Sequence, residues 1–285
     1  MMKHTVTLWD GAVVPALGQG TWCLGEHPDR LEQERQALLT GIHAGMTLLD
    51  TAEMYGDGRS EELIGRTIRD IPRDQIFLVS KVYPYNAGRR DIFTSCENSM
   101  RRMGVDYLDL YLLHWRGSIP LAETVLCMEQ LKKEGKILRW GVSNFDTDDM
   151  NELWRIPGGD HCAVNQVLYH IASRGIEYDL LPWMREHDVT LMAYCPLAQA
   201  GGLRRGLYHN RLLLEIAEEN NATISQILLA FAIRDGHTIA IPRTGKSAHT
   251  IENAGADAID LTEDELREIG RIFPAPTHKT ELDMQ

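Results

Sequence analysis

The chain repeats one phrase: a short apolar run, a break, then a stretch whose apolar positions recur at helical spacing. The apolar runs stop near Thr21, Asp50, Lys81, His114, Asn144, Gln166, Tyr194 and Pro242. Most intervals are about 30 residues, the size of a strand–helix–strand unit. Between them the periodicity predicts helices over Leu31–Ala44, Ser60–Asp70, Arg89–Met103, Leu121–Glu134, Thr147–Arg155, Ile176–His187 and Thr223–Arg234. Thr223-x-x-Gln226 has the form of a capping box, in which side chain and backbone bond reciprocally at a helix start. Thr262-x-x-Glu265 opens a further helix near the end. Ahead of the first phrase, Thr5–Trp9 alternates, Asp10-Gly11 is a turn dipeptide and Ala12–Pro15 returns, which predicts a hairpin over residues 5–17. A strand over Leu17–Trp22 follows. No linker, low-complexity stretch or charge run interrupts the alternation. The pattern predicts an α/β fold: a single (β/α)8 TIM barrel domain over 1–285 with an N-terminal β-hairpin.

The other arrangement of alternating strands and helices is doubly wound, with Gly-x-Gly-x-x-Gly directly after the first strand. Here Gly18-Gln19-Gly20-Thr21-Trp22-Cys23 lacks the third glycine, so a dinucleotide would have to be held in another way. The net charge of −12 disfavours nucleic acid, and any anionic ligand then needs a local basic patch. Five scattered cysteines (Cys23, Cys96, Cys127, Cys162, Cys195) contain no Cys-x-x-Cys, so neither a disulfide framework nor a zinc site is expected. Met1–Thr7 has no apolar run for secretion, and no segment reaches the ~18 apolar residues of a membrane span. The expectation is a cytoplasmic protein without metal, membrane or nucleic-acid partner.

Three apolar runs end in ionisable residues: Asp50 after Leu48-Leu49, Lys81 after Ile76–Ser80, and His114 after Leu110–Leu113. In a barrel, strand ends at one rim carry chemistry out of a packed core. A lysine closing a buried strand needs a partner, and Asp50 can hold it charged. The alternatives are a purely structural ion pair or, with a neutral unpaired amine, a Schiff-base lysine. Tyr55 lies in the loop after the Asp50 run. A phenol titrates near pKa ~10; an ammonium fixed beside it is expected to lower that value and make it a proton donor near neutral pH. Without the pair it is an ordinary half-buried loop tyrosine. His114 could be a core histidine, as most of the chain's 11 histidines must be. At this rim a neutral imidazole could instead donate to a carbonyl oxygen and polarise it.

Asp50-Thr51-Ala52-Glu53-Met54-Tyr55-Gly56, Ser80-Lys81 and Leu112-Leu113-His114-Trp115 resemble, in order and spacing, the signature of the aldo-keto reductase superfamily. Gly141–Phe145, Val164-Asn165-Gln166, Ala193–Leu197 and Ile241–Thr244 extend the resemblance from about Ala16 to Asn253. Tyr169-His170, Ser173–Tyr178 and the Pro196–Gly201 turn resemble its bacterial methylglyoxal-reductase branch. The resemblance implies a catalytic set of Asp50, Tyr55, Lys81 and His114, and a cofactor, NADPH, extended across the barrel mouth. It implies that Tyr194 stacks on the nicotinamide while Ser143, Asn144 and Gln166 bond its carboxamide; turn-forming polar residues are the plainer reading of those three. It also places Gly20, Thr21, Trp22, Asp50, Cys195, Pro196, Leu197, Gln199, Ile241, Pro242, His249, Glu252 and Asn253 around the cofactor.

Arg243, Thr244 and Lys246 follow the last apolar run, with a helix opening after Ser247. Barrels often hold a phosphate there, and two cations in an acidic chain suit the 2′-phosphate of NADPH, a solvated basic turn being the alternative. Many aldo-keto reductases have lysine in place of Arg243, several have arginine in place of His249, and serine is common in place of Cys195. Cys195 is expected to be inert, as buried thiols usually are.

The expected function is NADPH-dependent reduction of aldehydes and reactive ketones, including methylglyoxal, other α-dicarbonyls and aromatic aldehydes, by a monomer or weak oligomer. Trp22, Tyr55, Tyr83, His114 and Trp115 are expected to wall the substrate pocket. Arg116–Pro120 leads almost at once into a helix, and the tail after Phe273 is short and polar, which predicts an open mouth and modest discrimination. Two other classes fit the fold: a cofactor-bound redox-sensing regulatory protein and a Schiff-base aldolase using Lys81.

Overall fold

A computed structural model describes residues 2–199 and 201–285. Met1 and Ala200, the latter inside the Pro196–Gly201 turn, lie outside the described residues. The predicted hairpin is present. Strands β1 (Thr5–Thr7) and β2 (Val13–Pro15) pair antiparallel with Val6 opposite Val14. Eight parallel strands then neighbour one another in chain order: β3 (Gln19–Gly20), β4 (Leu48–Asp50), β5 (Phe77–Val82), β6 (Leu110–Leu113), β7 (Trp140–Ser143), β8 (Cys162–Leu168), β9 (Thr190–Tyr194) and β10 (Thr238–Ala240).

The sheet closes on itself. Gly18 N–H donates to Ala240 O (2.9 Å), Ala240 N–H to Ala16 O (2.8 Å) and Gly20 N–H to Pro242 O (3.1 Å). These bonds satisfy both edges and make the sheet a barrel. A methyl group on Gly18 would lie 2.6 Å from Leu48 Cδ2, and one on Gly20 would lie 2.9 Å from Ile241 O. The glycines that looked like part of a dinucleotide fingerprint therefore permit close strand approach at the seam.

Strand side chains alternate between two clusters. Leu48, Val79, Leu110, Leu112, Val164, Met192 and Ile239 share the inner cluster, with the hairpin residues Val6, Leu8 and Val14 at its N-terminal end. Leu49, Leu78, Tyr111, Leu113, Val142 and Leu191 face the surrounding helices. Those helices are α1 (Leu31–His43), α2 (Arg59–Ile68), α3 (Ile92–Met103), α4 (Leu121–Lys133), α5 (Thr147–Trp154), α6 (Leu180–Glu186), α7 (Gly202–Tyr208), α8 (Arg211–Glu219), α9 (Ile224–Ile233), α10 (Ser247–Gly255) and α11 (Glu263–Ile272). Thr223 and Thr262 each form a capping box, and Asp146 forms a third with Asp149.

The structure differs from the sequence reading in two stretches. The predicted helix over Ile176–His187 is a single 3-10 turn (Gly175–Glu177) followed by α6, whose start Asp179 caps by accepting from Leu180 N–H. The long interval between Tyr194 and Pro242 holds α7 and α8 as well as α9. Of the two unanticipated helices, α8 buries Leu213, Ile216 and Ala217. Among the described residues no helix is long and apolar enough to cross a membrane.

Candidate active site

Alternation carries the site. Asp50 shares the inward parity of Leu48, Lys81 that of Val79, and His114 that of Leu110 and Leu112, so all three emerge at the C-terminal rim. Lys81 is fully buried. Its Nζ donates to Asp50 Oδ1 (2.8 Å), Thr51 O (2.8 Å) and Tyr55 Oη (3.2 Å). An ammonium has three donors, and all three are engaged. Tyr55 opens a 3-10 turn (Tyr55–Gly58) in which Gly56, Asp57 and Gly58 all take left-handed φ values of 56°, 56° and 87°. Its hydroxyl accepts from Lys81, and among the described residues its own O–H meets no acceptor. The phenolic proton is therefore left to the pocket. The Tyr55 and His114 rings meet edge to face, 5.6 Å apart.

Burial and charge compete at each group. Burial pulls the Lys81 ammonium down, but Asp50 and Tyr55 outweigh it and hold the lysine above its ordinary value. Burial raises the Asp50 carboxyl, opposed by Lys81 and Gln166. At Tyr55 the sequence expectation is overturned. Burial raises the phenol more than Lys81 lowers it, so Tyr55 sits above its ordinary value. Lys81 limits that rise; it does not bring the phenol near neutrality. Burial first and Lys81 second push the His114 imidazole down to about 2, so it is neutral. Among the described residues, His114 Nδ1 is buried without a partner. A buried N–H lacking an acceptor is rarer and costlier than a bare acceptor, so the proton belongs on Nε2.

The residues expected at the nicotinamide end converge. Ser143 Oγ donates to Gln166 O (2.8 Å), and Gln166 Nε2 donates to Asp50 Oδ2 (2.8 Å). A carboxylate only accepts, so the Gln166 amide nitrogen must face Asp50, leaving its carbonyl oxygen for a ligand. Asn144, in the left-handed region at φ 59°, donates to His114 O and Ser143 Oγ (3.2 Å each). It accepts from Tyr194 Oη at 2.9 Å. A cavity of about 570 Å³ is lined by all of these and by Gly20, Thr21, Trp22, Trp115, Cys195, Pro196, Leu197, Gln199, Ile241, Pro242 and Arg243.

Several expected residues sit elsewhere. Tyr83 does not line the cavity. Its backbone N–H is held by Glu53 Oε1 (2.6 Å) and its ring backs Trp115, 5.1 Å away. Thr244, Lys246, His249, Glu252 and Asn253 lie outside the cavity lining, before or along α10. Glu252 accepts from Thr223 Oγ1 (2.7 Å), and Asn253 is buried. Arg243 Nε donates to Trp22 O (2.8 Å) and Nη2 to Cys23 O (3.2 Å), which leaves three of its five N–H donors. Among the described residues no side chain caps α10, whose first-turn N–H groups lie beside Lys246.

The short tail contributes to the mouth, which its polar sequence does not announce. Leu282 packs on the core, Lys279 pairs with Asp148, and Ser173 Oγ donates to Asp283. Met284 and Gln285 line the cavity, with Cys195 Sγ donating to Gln285 Oε1. Burial pushes the Cys195 thiol up to about 11, in keeping with the inertness expected of it. Cys23, Met54, Ala198 and Arg204 also line the cavity and were not anticipated. Met54 lies within the Asp50–Gly56 segment that carries the family resemblance; Met284 and Gln285 carry no local signal.

A parallel barrel presenting this acid, ion pair and neutral imidazole at its C-terminal rim belongs to a known class: residues 16–273 match the Aldo/keto reductase family, and the chain is a member of it. Within that family it is 52% identical over 284 residues to the Escherichia coli (strain K12) protein named Methylglyoxal reductase YeaE, covering 99% of this chain and 100% of that one. Glyoxal reductase of Bacillus subtilis (strain 168) is 31% identical, over 95% of this chain and 93% of its own. The crystal structure of an aldo/keto reductase from Klebsiella pneumoniae in complex with NADP and acetate matches with a TM-score of 0.96 at 54% identity, covering 99% of each chain.

Proposed function

We propose that this enzyme reduces small aldehydes and reactive ketones, methylglyoxal and other α-dicarbonyls among them, with NADPH as cofactor. The observation that carries the reading is the saturation of Lys81: three donors, three acceptors, one of them the Tyr55 hydroxyl. A Schiff-base lysine needs a neutral, unpaired amine, and Lys81 is neither unpaired nor lowered.

The residues present suit NADPH. The Gln166 carbonyl oxygen and the Ser143–Asn144 turn are the groups an amide ligand needs, and Tyr194 offers an aromatic ring beside them. Arg243, Lys246 and the uncapped start of α10 suit a phosphate. Hydride for the carbonyl carbon is what NADPH supplies when bound. The protein does the rest. His114 Nε2–H donates to the substrate oxygen, orienting and polarising it. Tyr55 gives its proton to that oxygen as negative charge develops there. Lys81 stabilises the phenolate that remains, and Asp50 keeps Lys81 charged. Trp22, Met54, Trp115 and the Met284–Gln285 segment line the cavity and limit the bulk it accepts.

The test is kcat/KM across methylglyoxal, other α-dicarbonyls, aromatic aldehydes, steroids and open-chain sugars. The first three groups are expected to rank largely by electrophilicity, and the tail disfavours the last two. Preference for a steroid or sugar, with methylglyoxal near background, overturns the substrate assignment. For the cofactor, Arg243→Ala is expected to weaken NADPH about tenfold or more while changing NADH much less. Equal losses in the two dissociation constants would assign Arg243 to its clasp on Trp22 and Cys23 alone.

A further inference from the structure

A second cleft lies at the other end of the barrel. It opens where α2 and α3 end, beside the 3-10 turn Arg73–Gln75 that precedes β5, and it has a volume of about 610 Å³. Lys81 and His114 sit at the opposite ends of β5 and β6. Five arginines line the cleft, namely Arg66, Arg69, Arg73, Arg101 and Arg102, against one carboxylate, Glu62. In a chain of net charge −12 this concentration of positive charge is anomalous.

Two of the five have structural work. Arg102 pairs with the fully buried Glu61, which also accepts from Ser80. Arg73 pairs with Asp109 and donates to Ile76 O and Tyr107 O. Arg66 approaches Glu62 only at 4.0 Å. Arg69 and Arg101 are exposed and have no carboxylate partner among the described residues. Two helix C-termini present roughly one negative charge between them, less than the two unpaired guanidiniums supply. Ile68, Ile76 and Met103 are buried beneath the cleft, and the partly buried Ile71 and Val105 give it a small apolar surface. Gly65 permits this close junction of the helices: a methyl group there would lie 2.7 Å from Arg102 O.

We infer that this cleft binds a small polyphosphorylated anion, with adjacent phosphates held by Arg66, Arg69 and Arg101. Guanidinium groups grip phosphate oxygens through paired N–H donors. Inorganic tripolyphosphate would use the arginines alone, whereas the nucleoside of a nucleoside triphosphate would have only Ile71 and Val105 to meet.

The experiment titrates tripolyphosphate and ATP separately, by calorimetry, into enzyme saturated with NADPH so that the mouth is filled. Saturable binding of one anion per chain is expected, weakening as salt rises. The Arg69→Ala/Arg101→Ala double variant should bind at least about tenfold more weakly per arginine removed. Its NADPH-dependent turnover should be unchanged, which also reports that it folds. Tighter binding of ATP than of tripolyphosphate places the nucleoside against Ile71 and Val105, and equal binding restricts recognition to the phosphates. Binding that persists in the double variant, or is lost equally in an Arg90→Ala/Arg155→Ala control that removes the same two charges elsewhere on the surface, overturns the inference. So does the absence of saturable binding by either anion.

Discussion

Tyr55→Phe is expected to lower the rate of carbonyl reduction by roughly 10²–10⁴-fold, the range for loss of a positioned general acid. The ring and its packing against His114 survive the change, so cofactor affinity should stay near that of the parent. What disappears is the one hydroxyl that accepts from Lys81 and has its own proton free for the pocket. The pH profile gives a second check. Burial holds the phenol above its ordinary value, so the acid form is full through neutral pH. Turnover in the parent should fall only as the solution becomes alkaline, and this limb should vanish from the residual activity of the variant. Single-turnover reduction at a near-parental rate in Tyr55→Phe would remove Tyr55 from the mechanism.

Asp50→Asn is expected to destabilise the fold by about 3–5 kcal/mol, because it leaves a buried ammonium without its counter-charge. Lys81 is fully buried and cannot reach water. Its remaining acceptors, Thr51 O and Tyr55 Oη, are neutral. The measurement is the urea midpoint of Asp50→Asn beside that of an Asp50→Asn/Lys81→Met double variant. Removing both charges should recover much of the loss, since the penalty lies in the unpaired ion and not in the missing pair. A double variant less stable than the single would show that Asp50 acts through packing. Activity should fall in both, for the phenolate left by proton transfer then lacks a firmly charged neighbour.

The order of strands and helices was legible because burial imposes it. Each strand buries two faces, and each helix must cover one. The inward set was legible for the same reason: a period of two from Leu48, Val79 and Leu110 leads straight to Asp50, Lys81 and His114. Charge balance was less legible. The sequence suggests an ammonium beside Tyr55 but not how completely water is excluded, and exclusion reverses the direction in which the phenol moves. Tyr83 was misplaced because a strand end fixes a rim position and not which neighbour, here Trp115, stands in front. The tail was illegible for a deeper reason. Thr280, Leu282 and Asp283 find Gly175, the core and Ser173 only after the chain has folded, and nothing in a polar tail announces partners about a hundred residues away.

The seam of the barrel has a consequence for how the chain is made. Ala240 N–H meets Ala16 O, closing a loop of about 220 residues at an entropic cost of about 5 kcal/mol. The hairpin region is tied late as well, with Lys3 and His4 bonding Asp257 and Asp260. Residues synthesised early are thus enclosed last. A growing chain can pair β4 with β5 and β5 with β6, assembling the ion pair and imidazole locally, while β3 presents a bare edge. That edge stays open to foreign strands until residues near Pro242 arrive. Kinetic vulnerability to aggregation therefore concentrates at β3, and a substitution at Gly18 or Gly20 that delays closure would reduce soluble yield more than it alters the finished barrel's chemistry.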